Sequence, residues 1–307
     1  MDVRRLLIFR AVARAGSIAA AARELGWTQP AVSQHLRRLE QQLGVPLVIR
    51  QSSGVMLTEA GRVALEHADA VAARMHTAEA ELAALSDLTR GTVRLAAFPS
   101  ASAVLVPPAL EALVSRYPGL DLRLHEAEPP EALRMVQGGD VDLALVFSYP
   151  EAPAPDLGPL VSTPLGEDAV DLVLPRSHRL ADRRGPALAD LAGDPWVAGC
   201  LRCRQHLLQV TGFAGFEPQI RHTTDDYVVV QSLVAQGLAV ALLPRLSLLA
   251  FRHPEVATRH LPEVGARSMA IVHLPDADRV PAVAAVVSAL VAAPELATRG
   301  HAAATAT

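Results

Sequence analysis

Two cysteines three residues apart are the side chains best suited to covalent chemistry. The segment Cys200-Leu201-Arg202-Cys203 holds both cysteines of the chain, beside arginines at the expected start of a helix. Such a setting can lower a thiol pKa, so the pair could sense oxidants or electrophiles. His206 extends the set toward a metal site, but ligands at this spacing diverge on a regular helix and no fourth lies nearby. Redox sensing and unreactive packing or pocket lining stay open, and we predict no metal or other cofactor.

A second set of side chains suits contact with nucleic acid. Val32, Leu36 and Leu39 recur four and three residues apart and predict a helix with one buried face. The opposite face carries Ser33 and Gln34 near its start and arginines further along. These groups can reach base edges and phosphates from a major groove. A charged outer face is also typical of a solvated helix, so spacing alone leaves DNA binding undecided.

Capping residues position this helix after a shorter one. Ser17 can accept a hydrogen bond from an unpaired N–H at the start of a helix over residues 18–25, and Gly26 supplies a left-handed residue that ends it. Thr28 is the expected cap of the second helix, with Pro30 in its first turn. The sequence therefore predicts a helix-turn-helix.

The flanking sequence extends this motif to a winged helix. An apolar stripe that includes Leu6 and Phe9 predicts a further helix, and two short strands, 46–50 and 55–57, enclose a turn. Residues 1–65 carry nine arginines against four acidic residues, whereas the whole chain has a net charge of −4. A basic head on an acidic body favours binding to a polyanion. The predicted DNA contacts are Ser17, Thr28, Gln29, Pro30, Ser33, Gln34, Arg37, Arg38, Arg50, Ser52 and Ser53.

The same segment resembles the LysR-type transcriptional regulators. The family usually has Leu-Phe where this chain has Leu47-Val48, which is a conservative departure. The resemblance implies a winged helix-turn-helix, a linker helix and a two-lobed α/β effector domain of the periplasmic-binding-protein type. The matching residues are Phe9-Arg10-Ala11-Val12, Gly16-Ser17, Ala20-Ala21, Leu25, Gln29-Pro30-Ala31-Val32-Ser33, Leu36, Leu39-Glu40, Leu43-Gly44-Val45-Pro46-Leu47, Arg50 and Leu57-Thr58-Glu59-Ala60-Gly61.

Length and composition bound the remaining possibilities. The chain has 307 residues, half of them apolar, which is enough for two or three cores. The apolar stretch over 280–293 is too short to span a bilayer and the N-terminus has no apolar signal core, so we expect a soluble cytoplasmic protein. The sequence has no nucleophile elbow, P-loop or HExxH motif, which disfavours an enzyme with a DNA-binding head. The basic head disfavours a plain solute-binding protein.

A long helix should follow Thr58, its expected cap. No proline occurs between Thr58 and Pro99, and small or apolar residues alternate four and three apart through this stretch. That spacing suits pairing of two helices, and two linked heads gain affinity by reading two half-sites. The alternative is a helix packed on its own domain. The resemblance implies a dimer, often doubled to a tetramer. The predicted dimerisation residues are Ala64, Ala68, Val71, Met75, Ala78, Leu82 and Leu85.

The remaining sequence alternates strands and helices, which is typical of an α/β body. Two lobes joined by strands that cross near Ser162 and Arg267 resemble the effector domain of the same family. The predicted strands are 92–98, 120–125, 141–146, 169–174, 196–198, 219–222, 239–244 and 268–274. The predicted helices run from 99 through 113 and over 130–137, 202–211, 225–236 and 282–290.

These elements give a domain plan. We predict a mostly α-helical winged helix-turn-helix over 1–60, a linker and dimerisation helix over 61–90, an effector domain over 91–293 and a flexible tail over 294–307. Lobe I comprises 91–162 and 268–293, and lobe II comprises 163–267. Ligands of such sheets bind outside the carboxyl ends of strands, which here means between the lobes.

An anionic effector is expected in this cleft. Helix N-termini offer free N–H groups to an anion, and Arg202 agrees with that charge. By matching to the family, the predicted effector contacts are Ser100, Ala101, Ser102, Pro129, Phe147, Gly199, Cys200, Leu201, Arg202, Thr224, Asp225 and Asp226.

The sequence thus predicts a sequence-specific transcription factor that is not an enzyme. The effector would shift the lobes and change the geometry of the DNA-reading heads. A redox-sensing regulator that acts through Cys200 and Cys203 is the alternative. The expected partners are double-stranded DNA, a small molecule and further copies of the chain, with RNA polymerase as another candidate and no membrane.

Overall fold

The chain folds into two compact units, an N-terminal head and a body, which are described separately. The computed structural model describes residues 2–51, 54–86, 91–150, 157–183 and 185–304. Within these ranges, no helix combines the length and the apolarity needed to cross a membrane. The head consists of α1 (Val3–Ala15), α2 (Ile18–Glu24), α3 (Gln29–Leu43), β1 (Val48–Gln51), β2 (Gly54–Leu57) and α4 (Glu59–Ser86).

Side chains cap the N-termini of three of the four helices described in the head. The Ser17 hydroxyl accepts a hydrogen bond from the Ala20 N–H at 3.1 Å, as predicted. The predicted cap of α4 is also present, because Thr58 Oγ1 accepts from the Gly61 N–H at 2.9 Å. Thr28 occupies the N-cap of α3, but its side chain makes no capping hydrogen bond, so that part of the prediction was wrong.

The core of the head is formed by the apolar faces of its helices. Val32, Leu36 and Leu39 are fully buried, which confirms the predicted inner face of α3. Hydrophobic burial of this kind is the main source of stability for a small α-helical unit. The other buried members of this core are Leu6, Ile8, Phe9, Val12, Ile18, Ala21, Ala22, Leu47, Val48 and Ala68.

The first half of α4 packs on its own head, which corrects the predicted dimerisation row. Ala68 is fully buried in the core of the head, and Ala64 and Val71 pack against that core. These three residues therefore support the alternative in which this helix packs on its own domain. Of the same row, Met75, Ala78 and Leu82 are exposed, and the side chain of Leu85 lies outside the described residues.

The body alternates strands and helices, as predicted. The single helix predicted through residue 113 is instead two helices that meet at Leu105. In a continuous helix, residues 107 and 108 would donate backbone hydrogen bonds to the preceding turn, but both are prolines and lack the N–H group. The sixth helix of the body and its penultimate strand were not predicted. The elements are β3 (Gly91–Ala97), α5 (Pro99–Val104), α6 (Val106–Arg116), β4 (Leu120–Glu126), α7 (Pro129–Gln137), β5 (Leu143–Ser148), β6 (Val161–Pro175), β7 (Pro195–Ala198), α8 (Leu201–Phe213), β8 (Gln219–Thr223), α9 (Tyr227–Ala235), β9 (Val240–Pro244), α10 (Arg245–Ala250), β10 (Val256–His260), β11 (Ala266–His273) and α11 (Pro281–Ala304).

Two long strands cross between the lobes. The strand order is β4-β3-β5-β11-β6-β9-β7-β8, and β10 also pairs with β6. The first part of β6 runs antiparallel to β11, whereas its end pairs with β9 and β10. Strand β6 therefore leaves the first lobe and enters the second, and β11 returns. The change of sheet lies near Ala169 and Ala266. The return predicted near Arg267 agrees with this position, whereas the exit predicted near Ser162 comes too early, because residues 161–169 still pair with β11 in the first lobe.

The closing helix is longer than predicted. Helix α11 continues through Pro294 to Ala304, where the sequence had suggested a flexible tail. Good helix formers follow Pro294, and a proline removes only one backbone donor from a helix of this length. Val286 and Leu290 are fully buried, and α11 packs against α6.

Candidate functional site

A buried arginine lies at the centre of a cleft between the two lobes. Arg267, near the start of β11, is only 2% exposed. Its Nε and Nη2 donate to Oδ2 of Asp168 at 3.0 and 2.8 Å, and Nη2 also donates to the Ser100 hydroxyl at 2.7 Å. These hydrogen bonds leave Nη1 unused within the described part of the chain, and Arg267 lines the cleft. This nitrogen is therefore available to a ligand in the cleft.

Two phenylalanine rings fix the guanidinium group. The Cζ atom of Arg267 lies 4.7 Å from the centroid of the Phe98 ring and 4.5 Å from that of Phe147. The two rings meet edge to face, with centroids 4.9 Å apart. A cation held on aromatic faces and by an ion pair has little freedom, so the anion-binding group is oriented before any ligand arrives.

The cleft brings together half of the predicted effector contacts. Those that line it are Ser100, Phe147, Gly199, Cys200, Thr224 and Asp225. Leu201 and Arg202 line an adjoining cavity, which shares Glu128, Cys200 and Asp225 with the cleft.

Four predicted effector contacts line neither cavity, because each has a structural role. Ala101 and Pro129 are buried in the packing of lobe I. The Ser102 hydroxyl donates to the carbonyl of Ala97 at 3.2 Å. Asp226 caps α9, where its Oδ1 accepts from the Val228 N–H at 2.8 Å.

Several residues that line the cleft were not predicted from the sequence. The most important are Arg267, Glu128 and Cys203, together with Phe98 and Tyr227. Two of them left a signal in the sequence. Arg267 is a charge at the start of an apolar strand, and Glu128 directly precedes the double proline that opens α7. Both positions place a charged group at a strand or helix end that faces the cleft.

Glu128 is a partly buried carboxyl group in the wall of the cleft. Its Oε2 is enclosed and has no hydrogen-bond partner among the described residues. Burial raises the pKa of Glu128, and the negative charge of Asp225 adds to this rise. The nearby Cys200 thiol and the charges of Arg267 and Arg202 act in the opposite direction. The result is a carboxyl group that holds its proton more tightly than an exposed glutamate.

The two cysteines lie side by side in the same wall. Their Sγ atoms are 3.1 Å apart, with the Cys200 thiol donating to Cys203, and both are free. That hydrogen bond lowers the pKa of Cys203, and the positive charge of Arg267 and a contact with Tyr149 add to it. The same hydrogen bond, followed by burial, raises the pKa of Cys200. Of the two thiols, Cys203 is therefore the one whose environment favours the thiolate.

The candidate nucleic-acid interface of the head is the outer face of α3. The predicted contacts on this face are exposed, namely Thr28, Gln29, Pro30, Gln34, Arg37 and Arg38, and Arg50 is exposed on β1. Ser17 and Ser33 are half-buried. Nη2 of Arg50 donates to the Ser33 hydroxyl at 3.4 Å, which ties the first strand of the wing to α3. Ser52 and Ser53 lie outside the described residues.

A helix-turn-helix with such a face and a body with a ligand-sized cleft define the class of DNA-binding regulators controlled by small molecules. Residues 3–62 match the family model described as "Bacterial regulatory helix-turn-helix protein, lysR family". Residues 86–295 match the model described as "LysR substrate binding domain". The chain belongs to the LysR family of DNA-binding transcriptional regulators.

Relatives of this family cover most of the chain. The uncharacterised regulator YybE of Bacillus subtilis (strain 168) is 28% identical over 252 residues, which are 80% of this chain and 83% of that protein. A hydrogen peroxide-inducible genes activator of Pectobacterium carotovorum subsp. carotovorum is 28% identical over 255 residues, 81% of each chain. The solved structure of a full-length OxyR variant from Pseudomonas aeruginosa has a TM-score of 0.69 at 19% identity, covers 94% of both chains and shows the likeness of the fold.

Proposed function

We propose that this regulator is controlled by an anionic small molecule that binds Nη1 of Arg267. The observation that carries the proposal is a buried guanidinium group that lines the cleft and has one nitrogen left without a hydrogen bond by the described residues. Guanidinium groups bind carboxylate, phosphate or sulfate oxygens through charge-assisted hydrogen bonds, which are stronger where water is excluded. The cleft is assigned to binding and not to turnover. Since the target is chromosomal DNA, we place the protein in the cytoplasm.

The crossing strands supply a route from the effector to the rest of the body. Arg267 lies on β11, its partner Asp168 lies on β6, and Ser100 lies on α5 of the first lobe. Thr224 and Asp225 line the same cleft from the second lobe. An anion that contacts both walls stabilises the arrangement of lobes in which they approach. The free energy by which the anion shifts the equilibrium between the two arrangements equals the difference between its binding free energies for them.

The head supplies the choice of DNA site. In this proposal Ser33 and Gln34 contact base edges, and the exposed arginines of α3 contact phosphates. Met75, Ala78 and Leu82 form the exposed part of a dimer seam on α4. A dimer presents two copies of α3 to two half-sites, so effector-induced changes in the body can alter half-site spacing.

Anion binding is tested by the melting temperature of the full chain in sulfate, malate or benzoate, compared with chloride at equal ionic strength. At least one of these anions should raise the melting temperature of the wild type, because it binds the folded state alone. R267K keeps the charge but not the planar donor fork and should lose this increase. The matched control is R279K, since Arg279 is 75% exposed and paired locally with Asp276. An equal increase in wild type and R267K would contradict the proposal.

DNA binding is tested by gel shift with the intergenic DNA beside the gene, at several salt concentrations. Q34A should weaken specific binding more than binding to an unrelated fragment. R38A should weaken both, and should reduce the slope of log affinity against log salt by about 0.9 for one lost phosphate contact. The reverse pattern would mean that α3 is not the helix that reads the bases.

A further inference from the structure

The cleft that holds Arg267 also carries carboxyl groups from both lobes. Glu128 lies between β4 and α7 of the first lobe, and Asp225 lies between β8 and α9 of the second. Both residues line the cleft together with Arg267, and both also line the adjoining cavity. Acidic walls weaken the binding of a simple anion, because like charges repel. These carboxyl groups therefore point to a feature of the ligand other than its negative charge.

The carboxyl group of Glu128 lacks the partners that a buried carboxylate needs. Its Oε2 is enclosed and has no hydrogen-bond partner within the described part of the chain. Burial raises the pKa of Glu128, and the charge of Asp225 adds to this rise. The neighbouring thiol and the charges of Arg267 and Arg202 oppose the rise only in part. A further cation in the cleft would therefore stabilise the ionised form of Glu128.

Asp225 gives this arrangement a link to the movement of the lobes. It is exposed on the second lobe, and its negative charge acts on Glu128 of the first. Two carboxylates repel each other, so an approach of the two walls is opposed while the cleft is empty of cations. An ammonium group between the carboxylates replaces this repulsion with two attractions. A ligand that carries such a group would favour the arrangement in which the lobes approach.

We infer that the effector is an amino carboxylate, whose carboxylate binds Arg267 and whose ammonium group binds Glu128 and Asp225. The inference rests on the proposed function, since it keeps Arg267 as the anion site and adds a second point of contact. A plain amine is repelled by the buried guanidinium group, and a plain anion is repelled by the acidic walls. A molecule with both charges is attracted by both.

The rest of the cleft suits the carbon skeleton of such a molecule. Val197, Val230 and Leu243 line it from the second lobe, and the two phenylalanine rings beside Arg267 line it from the first. Ligand sites of this kind combine an apolar lining with a few polar groups that fix the orientation of the ligand. An aliphatic or aromatic side chain of the amino carboxylate would pack against these residues.

The test uses sets of probes whose members differ only in the group on Cα, which is ammonium, hydroxyl or hydrogen. The sets are alanine, lactate and propionate; aspartate, malate and succinate; and phenylalanine, phenyllactate and phenylpropionate. Affinity for the full chain is measured by calorimetry at neutral pH and constant ionic strength. In at least one set the amino member should bind about tenfold or more tightly than the other two, which is the size of one charge-assisted hydrogen bond.

Variants of the acidic walls identify the source of this preference. E128Q keeps the shape of the side chain and should reduce the preference for the amino member by about tenfold, without weakening the binding of the member that lacks it. D225N should reduce it less, because Asp225 is exposed, and it provides a second variant if E128Q misfolds. E111Q is the matched control, since Glu111 is exposed on α6 and lines neither cavity. Circular dichroism checks the folding of each variant.

R267K separates this inference from the proposed function. It should weaken the binding of every member of a set, with or without an ammonium group, because all of them carry a carboxylate. If R267K weakens binding but the wild type prefers the amino member in no set, or if E128Q and D225N keep the full preference, the amino carboxylate is wrong and the anion site stands. If the amino member is preferred and R267K binds it as tightly as the wild type, both proposals fail. Equal affinity for phenethylamine and phenylalanine would also overturn both, since the amine has no carboxylate.

Discussion

Arg267 and Asp168 face each other across β11 and β6 and form an ion pair in which each side chain is only 3% exposed. The pair lies where the chain crosses between the lobes. The second oxygen of Asp168 accepts a hydrogen bond from the Leu246 N–H of α10 at 3.1 Å. One carboxylate therefore orients the cation of the cleft and also fastens it to a helix that follows β9.

Removal of one member of this pair should destabilise the body strongly. D168N leaves the Arg267 charge buried without its counter-ion, and loss of one partner of a buried pair costs about 3–5 kcal/mol. The free energy of unfolding of the body, followed in urea by Trp196 fluorescence in a Trp27→Phe background, measures the effect. R279Q should change it by less than about 0.5 kcal/mol, because Arg279 is an exposed partner. A loss below about 1 kcal/mol in D168N would show that the pair is not the anchor described here.

The two helix caps of the head give a matched pair of variants. S17A should lower the free energy of unfolding of the head by about 1 kcal/mol, because it removes the hydrogen bond from the Ala20 N–H. T28A should have a much smaller effect, since the Thr28 side chain makes no capping hydrogen bond. Trp27 fluorescence in a Trp196→Phe background follows the head alone, as the chain has two tryptophans. Equal losses in the two variants would contradict the cap geometry.

The contrast between Ser17 and Thr28 also shows what sequence can and cannot predict. Periodicity and cap chemistry are local, so most helices and strands and the Ser17 cap followed from the residues alone, whereas α10 and β10 did not. The positions of Ala64, Ala68 and Val71 did not, because the same spacing suits a dimer seam and a helix that packs on its own head.

The cleft shows the same limit at longer range. Ser100 and Phe147 could be placed by resemblance because Ser100 follows β3 and Phe147 lies near the end of β5. Arg267 is separated from Ser100 by 167 residues, and only the crossing of β6 and β11 brings it to Ser100. A side chain on a returning strand has no local signal for the site that it enters. Glu128 likewise meets Cys200, which comes from the other lobe, only in the folded chain, where both line the cleft.

Gly61 should be required for the junction between the wing and α4. A Cβ atom at this position would lie 2.1 Å from the carbonyl oxygen of Leu47, which is a backbone atom and cannot rotate away. G61A should therefore destabilise the head by several kcal/mol, through overpacking against a rigid group. G193A is the control, because a Cβ there has no heavy atom within 4 Å. The free energy of unfolding of the head is again followed by Trp27 fluorescence. Equal values for G61A and G193A would contradict this prediction.

Glu128 should make both stability and anion binding depend on pH. Burial raises its pKa above the usual value of 4.5, so the folded chain keeps a proton that the unfolded chain has already released. The stabilisation from this group is present below the ordinary pKa and is lost as pH rises through the raised pKa. Deprotonation also places a negative charge near Arg267, so the affinity for an anion should fall over the same range. The charged or titratable groups that act on Glu128 are Cys200, Asp225, Arg267 and Arg202.

E128Q isolates this contribution, because a glutamine keeps the shape of the side chain but does not titrate. The difference in free energy of unfolding between E128Q and wild type should shift in favour of E128Q as pH rises from 4.5. Sulfate is the probe for binding, since its charge is constant over this range, and its affinity should fall with pH in wild type but much less in E128Q. E111Q should follow the wild type in both measurements, because Glu111 is exposed on α6 and lines neither the cleft nor the adjoining cavity. A wild-type sulfate affinity that stays constant or rises with pH would contradict the predicted titration of Glu128.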